Sequence, residues 1–540
     1  MKDALAEAKR LVAAEAPAAT PYVHLYAARE LLQSATPATP QEQLQCWGLL
    51  GQICLAVDEP HAAQPYLEKA LAVLPASGPL QRYAAALSPD APGLDALPPP
   101  AQLVPANLNV EVADVVALLQ QLGLLWSGRG QHARALAFLA TAEALGCDEG
   151  PVHTHTLFFL AQVHGHLGDA AASARYCQLT LRRQLEAAGP LDDGLPGDWV
   201  ANCLGLAAFY TTTRQLAQAL ECVTACKHMD LAAEPAARVA LVEAKTWLEL
   251  LAAAPVVAAG PAALFPSLPP PPPLAPVVDF DTARAVFKRA MASLETAKGV
   301  FVLDGHVTDH IRVLQLQSQA FARLAAFEPD RKRQMAMLQR RLGFLTPLLF
   351  HADGTDAAEL NRNAFGYLVQ ELLFEAGDVF AALHDLKAQH PSKAYATTNH
   401  FGTDGIRCYE RFLKLYYFQQ GTDARSELEV ALPRPPTRPS HLADADARPF
   451  FLGLFYLARL HGKLQFLDAK ATVAAWSEST RHAHTHAEVD GVRSLRLHEA
   501  FVALTAAAPE CAAERAIALE MTRLLPEKIH RAHYQQQFLT

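Results

Sequence analysis

Apolar and small residues recur along this chain at helical spacing, and they do so in paired runs. In Val152–Glu186, VHTHTLFFLAQVHGHLGDAAASARYCQLTLRRQLE, the residues Leu157, Leu160 and Val163 fall on one face of a first helix. Gly168-Asp169 punctuates the run as a turn. Ala172, Ala174 and Cys177 then keep a second helix small enough for close packing. Such a hairpin cannot bury its apolar face alone, so it predicts similar neighbours stacked on it.

The neighbours follow a tetratricopeptide-like frame. A large residue precedes Leu-Gly or Leu-Ala and an aromatic, and the second helix carries small, large and small residues in turn. Trp47, Leu50, Gly51, Ala63, Leu67, Ala70 and Pro75 fit it. So do Leu122, Gly123, Trp126, Ala135, Leu139 and Ala142. Leu160, Ala161, His164 and Ser173 make a looser copy, and Leu206, Ala207, Tyr210, Ala219, Val223 and Cys226 a fourth. Leu457, Ala458 and His461 hint at a fifth, although Lys470 falls where a small residue belongs and Ala469 comes one position early. Small residues are needed where two helices touch, and the aromatic fills the gap above them. The pattern predicts an all-α array of antiparallel helix pairs.

Breaks interrupt the array at Pro75–Pro105, Gly189–Asp198, Leu250–Val278, His390–Gly402 and Pro433–Ala447. Leu250–Val278 has no charge over 29 residues, longer than the roughly 20 that span a bilayer. It also holds nine prolines, each costing about 3 kcal/mol inside a helix. The segment therefore reads as a loop, polyproline II around Pro269–Pro273, and not as a membrane insertion. It divides the chain into helical subdomains at 1–251 and 278–540, with a linker at 252–277. Beyond it, a helix is expected over Phe280–Val302, opened by Asp281 or Thr282, and another over Thr308–Leu324.

Composition narrows the function. Apolar residues are 51% of the 540 and charged residues 19%, enough to bury a large core. The net charge of −9 disfavours a nucleic-acid partner and leaves room for a basic protein one. The nine cysteines form no C-x-x-C pair, and Cys222 and Cys226 stand one helical turn apart, which suits packing. With no N-x-S/T acceptor, they read as reduced thiols of a cytoplasmic protein. Asp3, Glu7 and Glu15 give the N-terminus the charge of a soluble helix rather than a signal or transit peptide.

No phosphate loop, dinucleotide fingerprint, nucleophile elbow or HExxH motif is present, so neither an enzyme nor a cofactor is expected. His306, Asp309 and His310 in DGHVTDHI read as a turn at Asp304-Gly305 and a helix capped by Thr308 or Asp309, before they read as metal ligands. His482, His484 and His486 alternate and do not converge on one ion. Arg331, Lys332, Arg333, Arg340 and Arg341 share one helix, as a solvated face or a patch for an acidic surface. Pro269–Pro273 reads as a spacer before it reads as an SH3 or WW ligand. In a hairpin array the first helix of each pair carries the ligand contacts. By helical phase these are Gln120, His155, Phe158, Phe159, Gln162 and Thr211, with Gln162 the most telling because its amide would be stranded in a core. Gly48 and Gln52 occupy the positions where a chaperone-type carboxylate clamp needs Lys and Asn.

Five segments carry a closer resemblance: LGLLWSGRGQHARALAFLATAEAL from Leu122, THTLFFLAQVHGHL from Thr154, RYCQLTLRRQLE from Arg175, FVLDGHVTDHI from Phe301, and the C-terminal LLPEKIHRAHYQQQFLT. In these the chain resembles the kinesin-binding protein family (KIF-binding protein, KBP). The resemblance implies a right-handed α-solenoid in two subdomains whose groove binds kinesin motor domains and blocks their attachment to microtubules. It implies a regulator of microtubule-based transport, cytoskeleton-associated, with no enzymatic activity and no cofactor. It further implies a motor contact at Phe159, where the family carries Tyr, at Gln162, at Gly205, where the family carries a hydroxyl residue, and at Asn202, with Trp199 matched. An acidic groove gripping the motor's basic track-binding face is the expected mechanism, and a monomer the expected state. The alternative is a tetratricopeptide-like scaffold without motor inhibition.

Overall fold

The computed structural model describes residues 2–14, 16–17, 20–75, 109–146, 150–188, 195, 198–252, 263–271, 273–351, 360, 362–389, 395–418, 432–464 and 490–537. Among them are nineteen α-helices, packed in consecutive pairs, and no β-strand. By packing the chain divides into two compact units, Met1–Asp230 with Ala259–Pro273, and Leu231–Ala258 with Leu274–Thr540.

The first unit holds α1 (Lys2–Ala13), α2 (Val23–Gln33), α3 (Pro40–Ala56), α4 (Pro60–Ala72), α5 (Val112–Gly128), α6 (His132–Ala144), α7 (Pro151–His166), α8 (Ala170–Ala188), α9 (Trp199–Thr212) and α10 (Leu216–Lys227). Each odd-numbered helix pairs with the next, and successive hairpins stack, α3 on α5, α5 on α7 and α8 on α9. The small positions of the repeat frame let the pairs close. A Cβ added to Gly51 would stand 2.3 Å from Leu67 Cδ2, and one added to Gly123 would stand 2.7 Å from Leu139 Cγ. The same sixteen-residue spacing pairs Ala161 with Cys177 and Ala207 with Val223 in the sequence of the other two repeats. Where the first residue grows from Gly to Ala, the second shrinks from Leu to Cys or Val, as a constant volume at a close-packed crossing requires.

The turns of these four hairpins are built alike. Asp58, Gly130, Gly168 and Arg214 take left-handed φ values of 59°, 72°, 79° and 60°. In each, the following N–H donates to a carbonyl five residues back: Glu59 to Cys54 at 2.8 Å, Gln131 to Trp126 at 2.9 Å, Asp169 to His164 at 3.0 Å and Gln215 to Tyr210 at 2.8 Å. These are Schellman closures, which satisfy the last carbonyls of the first helix and turn the chain back in three residues. Two of the four do so without glycine.

The second unit holds α11 (Ala233–Ala252), α12 (Phe280–Val300), α13 (Val307–Ala325), α14 (Arg331–Leu345), α15 (Arg362–Ala388), α16 (Tyr395–Tyr417), α17 (Ala447–Lys463), α18 (Asp490–Leu504) and α19 (Ala512–Gln537). α11 falls in 1–251 of the sequence division, yet it groups with this unit because Ala237, Ala240 and Ala244 pack against Leu294, Ala297 and Phe301. Part of the proline-rich segment packs on the first unit instead. Phe265 is buried against the Trp199 ring at 5.8 Å, and its N–H donates to Glu221 Oε1 at 2.9 Å. Among the described residues no helix is long and apolar enough to cross a membrane.

Three local expectations are corrected. α12 is opened by Asp279, whose carboxylate accepts from Thr282 N–H at 2.8 Å while the Thr282 hydroxyl accepts from Asp279 N–H at 3.1 Å. α13 begins at Val307 with His306 as its uncapped first neighbour, so neither Thr308 nor Asp309 is the cap. The His390–Gly402 break is helical from Tyr395, where α16 begins, and its residues 390–394 lie outside the described residues. Lys470, Ala469 and His482–His486 lie outside the described residues, as does most of Pro75–Pro105 and Gly189–Asp198.

Candidate partner-binding groove

α7 presents alternating faces. Leu157, Leu160 and Val163 are buried towards the hairpin core, whereas His155 and Gln162 are exposed and Phe158 is half-buried. Its partner α8 is held against it by the Ser173 hydroxyl, which donates to the Ala161 carbonyl at 2.7 Å, and by Arg183, which donates to Thr154 Oγ1 at 3.3 Å. α9 is fixed to α8 by Trp199, buried, its indole N–H donating to the Leu181 carbonyl at 3.0 Å. Trp199 is thus an anchor rather than a contact surface, and it sets Asn202 one turn further along the same helix.

The three helices enclose a groove of about 440 Å³. Phe158, Ala161, Gln162 and Gly165 of α7 form one wall, Ser173, Cys177, Thr180 and Gln184 of α8 the floor and opposite wall, and Asn202 of α9 the end. Phe158, Gln162 and Asn202, expected as contacts, are therefore brought together. Ser173, Cys177 and Gln184 were not anticipated, because they sit on second helices, where the helical-phase argument does not look. Burial pushes the Cys177 thiol up to about 11, so it is a neutral, apolar part of the floor. Among the described residues the lining of this pocket contains no carboxylate; its polar groups are amides, hydroxyls, a thiol and the His166 imidazole, beside the Phe158 ring.

Phe159 is half-buried and packs on the core of the first unit, its ring 5.5 Å from Phe158 and 6.5 Å from His155. It supports those two side chains from behind rather than lining the groove. Gly205 is exposed, and a Cβ built there meets nothing within 4 Å, so a side chain has open space. Gln120 is corrected. It is buried, and its amide donates to Thr156 Oγ1 at 2.7 Å and the Val152 carbonyl at 2.6 Å, so α5 spends it on holding α7. Thr211 is likewise buried, with its hydroxyl bonded to the Ala207 carbonyl at 2.8 Å. The sequence argument for Gln162, that a core would strand its amide, misses that a core amide with two acceptors beside it is not stranded.

Elsewhere, the eight described cysteines are free thiols, and Cys203 donates to the Cys222 carbonyl at 3.5 Å. Among the described residues no cluster of His, Cys, Asp or Glu is arranged to hold a metal ion, and His310 Nδ1 is 2.8 Å from the Phe301 carbonyl. In the basic stretch of α14, Arg341 pairs with Glu375 at 3.3 Å and Arg333 stands 3.8 Å from Glu328, while Arg331, Lys332 and Arg340 are exposed.

Comparison with known proteins adds to this geometry. The family model described as KIF-1 binding protein C terminal matches residues 273–532. KIF-binding protein of Xenopus tropicalis is 26% identical over 449 residues, covering 65% of this chain and 68% of that protein. The Homo sapiens protein of that name is 25% identical over 516 residues, 76% of each chain. The Dictyostelium discoideum one is 37% identical over 101 residues, 17% of this chain and 16% of its own. A solved structure of a kinesin binding protein aligns with a TM-score of 0.59 over 97% of this chain and 96% of that one, at 23% identity, and shares the fold.

Proposed function

The chain belongs to the KIF-binding protein family, and on that premise we propose that it binds kinesin motor domains and keeps them off microtubules. The α7–α8–α9 groove is the contact we assign to the motor. One observation carries the assignment. Phe158, Gln162 and Asn202 converge from two helices on a surface whose hydroxyls, Ser173 and Thr180, are already bonded to the Ala161 and Tyr176 carbonyls inside the hairpins. An aromatic ring beside two free amides, on rigid helices, suits a helix or loop that offers both an apolar residue and backbone polar groups. Amide recognition replaces the charge attraction expected from the sequence. Inhibition is steric: a motor seated in the groove cannot present the same face to its track.

The protein then acts in the cytoplasm, in association with the cytoskeleton, as a monomer that regulates microtubule-based transport. Microtubule co-sedimentation of a kinesin motor domain, with and without the full chain, tests this. Release of the motor into the supernatant is the expected result. A motor that binds the chain yet stays on the polymer at saturation leaves a kinesin-binding scaffold, and one that does not bind removes both readings.

A further inference from the structure

In the second unit a ladder of phenylalanine rings ties α12, α13 and α14 together. Phe287 of α12 meets Phe321 of α13 edge to face at 4.9 Å, and Phe321 lies 5.8 Å from Phe344 of α14. All three rings are half-buried, so each leaves part of its surface in solvent. Helical spacing extends the ladder along both outer helices. Arg284, Phe287 and Met291 follow one stripe of α12, and Met337, Arg340 and Phe344 one stripe of α14. Met291 and Met337 are half-buried as well, and an unbranched thioether adapts to what packs on it. The face is a recessed strip of rings and thioethers with a guanidinium in each outer row.

Charge singles out this strip. From Phe280 to Leu345 the chain carries eleven Lys and Arg against six Asp and Glu, in a protein of net charge −9. Some of these cations are held inside the fold: Arg312 by Glu371, Arg323 by Glu249 and Arg341 by Glu375, while Arg333 stands 3.8 Å from the buried Glu328. Arg284, Lys288 and Arg340 are exposed and form no ion pair among the described residues. α14 contains no carboxylate. α12 contains two, Asp281 in its first turn and Glu295, which lies more than two turns beyond Phe287 and accepts from Gln317 at 2.7 Å. Three cations therefore flank the rings against the single carboxylate of Asp281. A purely polyanionic ligand would use the cations and leave the rings idle. An amphipathic helix uses both, with apolar residues one turn apart on the strip and carboxylates against the guanidinium forks. We propose that the face formed by α12, α13 and α14 docks an acidic amphipathic helix of a partner protein. It involves the second unit alone and does not rest on motor binding.

Fluorescence anisotropy of the full chain with a labelled helical peptide of about eighteen residues reads the site. The probe carries Leu at i, i+4, i+7 and i+11 and Glu at most other positions. One counterpart has Lys for every Glu, and another has Gln for every Leu. Both counterparts are expected to bind at least tenfold more weakly than the parent peptide. Arg284→Glu with Arg340→Glu, both on exposed side chains, is expected to weaken the parent peptide at least tenfold with circular dichroism unchanged. Arg331→Glu with Lys332→Glu makes the same charge change off the stripe and is expected to leave affinity within about twofold. Binding of the Gln counterpart as tightly as the parent peptide, or of phosphatidylserine vesicles in its place, marks a general anion surface and overturns the proposal. No peptide binding, equal affinity for the Lys counterpart, or an equal loss in both charge variants overturns it too.

Discussion

Gln120 and Thr156 are bonded side chain to side chain at 2.7 Å across the α5–α7 contact, and the same amide reaches the Val152 carbonyl at 2.6 Å. The pair clips one hairpin to the next inside an apolar boundary, where a polar group must find partners. Gln120→Ala should therefore cost about 1–3 kcal/mol of stability, read as a lowered denaturation midpoint. Its affinity for a motor domain, measured below the transition, should match the parent protein.

Gln162→Ala is expected to behave in the opposite way. Gln162 is exposed on the groove wall, so stability should shift by no more than about 0.5 kcal/mol. Motor affinity should fall several-fold in a binding titration. Parent-like affinity would remove Gln162 from the contact.

Gly205→Ser should raise helix stability by about 0.5 kcal/mol, because glycine is the poorest helix former after proline and open space surrounds its Cβ. Gly205→Ala separates this propensity gain from any new hydrogen bond. If Ser strengthens motor binding and Ala does not, the hydroxyl is what acts.

The crossing at Gly51 and Leu67 leaves no room for a methyl, since its carbon would stand 2.3 Å from Leu67 Cδ2. Gly51→Ala should destabilise on balance, an overpacking cost of about 1–3 kcal/mol exceeding a propensity gain of about 1 kcal/mol. Adding Leu67→Val restores the Ala–Val pairing that the chain uses at Ala207 and Val223. A double-mutant cycle by chemical denaturation should show coupling of roughly 1 kcal/mol in the favourable sense.

His498 is fully buried on α18, and burial, with Arg459 nearby, depresses its pKa from 6.5 to about 4. The folded state keeps the ring neutral while the unfolded chain takes up a proton below pH 6.5. Unfolding therefore binds protons between pH 6.5 and 4, and stability falls as pH falls through that window. The loss is about 3 kcal/mol for one group. Thermal melts from pH 7 to 4 should show His498→Phe with a distinctly flatter pH dependence than the parent chain.

Four hairpins were legible from spacing alone, because the residues that touch at a helix crossing are dictated locally. Gly51, Gly123, Ala161 and Ala207 are small for a reason visible in the sequence, and the frame finds them. The second unit was less legible. Its close crossings meet rings, as at Gly377, where an added Cβ would stand 2.9 Å from the Tyr409 ring, and do not follow the Gly–Leu frame. The closures at Asp58 and Arg214 needed the structure. A left-handed residue without glycine gives no compositional sign.

By itself the sequence determined that this chain is an array of paired helices, since periodicity and small-residue spacing are properties of short windows. Only the tertiary structure decided which polar side chains are available. Gln120 and Gln162 are the same residue type on first helices of neighbouring hairpins, and both read as candidate contacts. One is sealed by the next hairpin and the other lines a groove. That distinction depends on what packs across each helix from a distant part of the chain, and helical phase on a single helix cannot contain it.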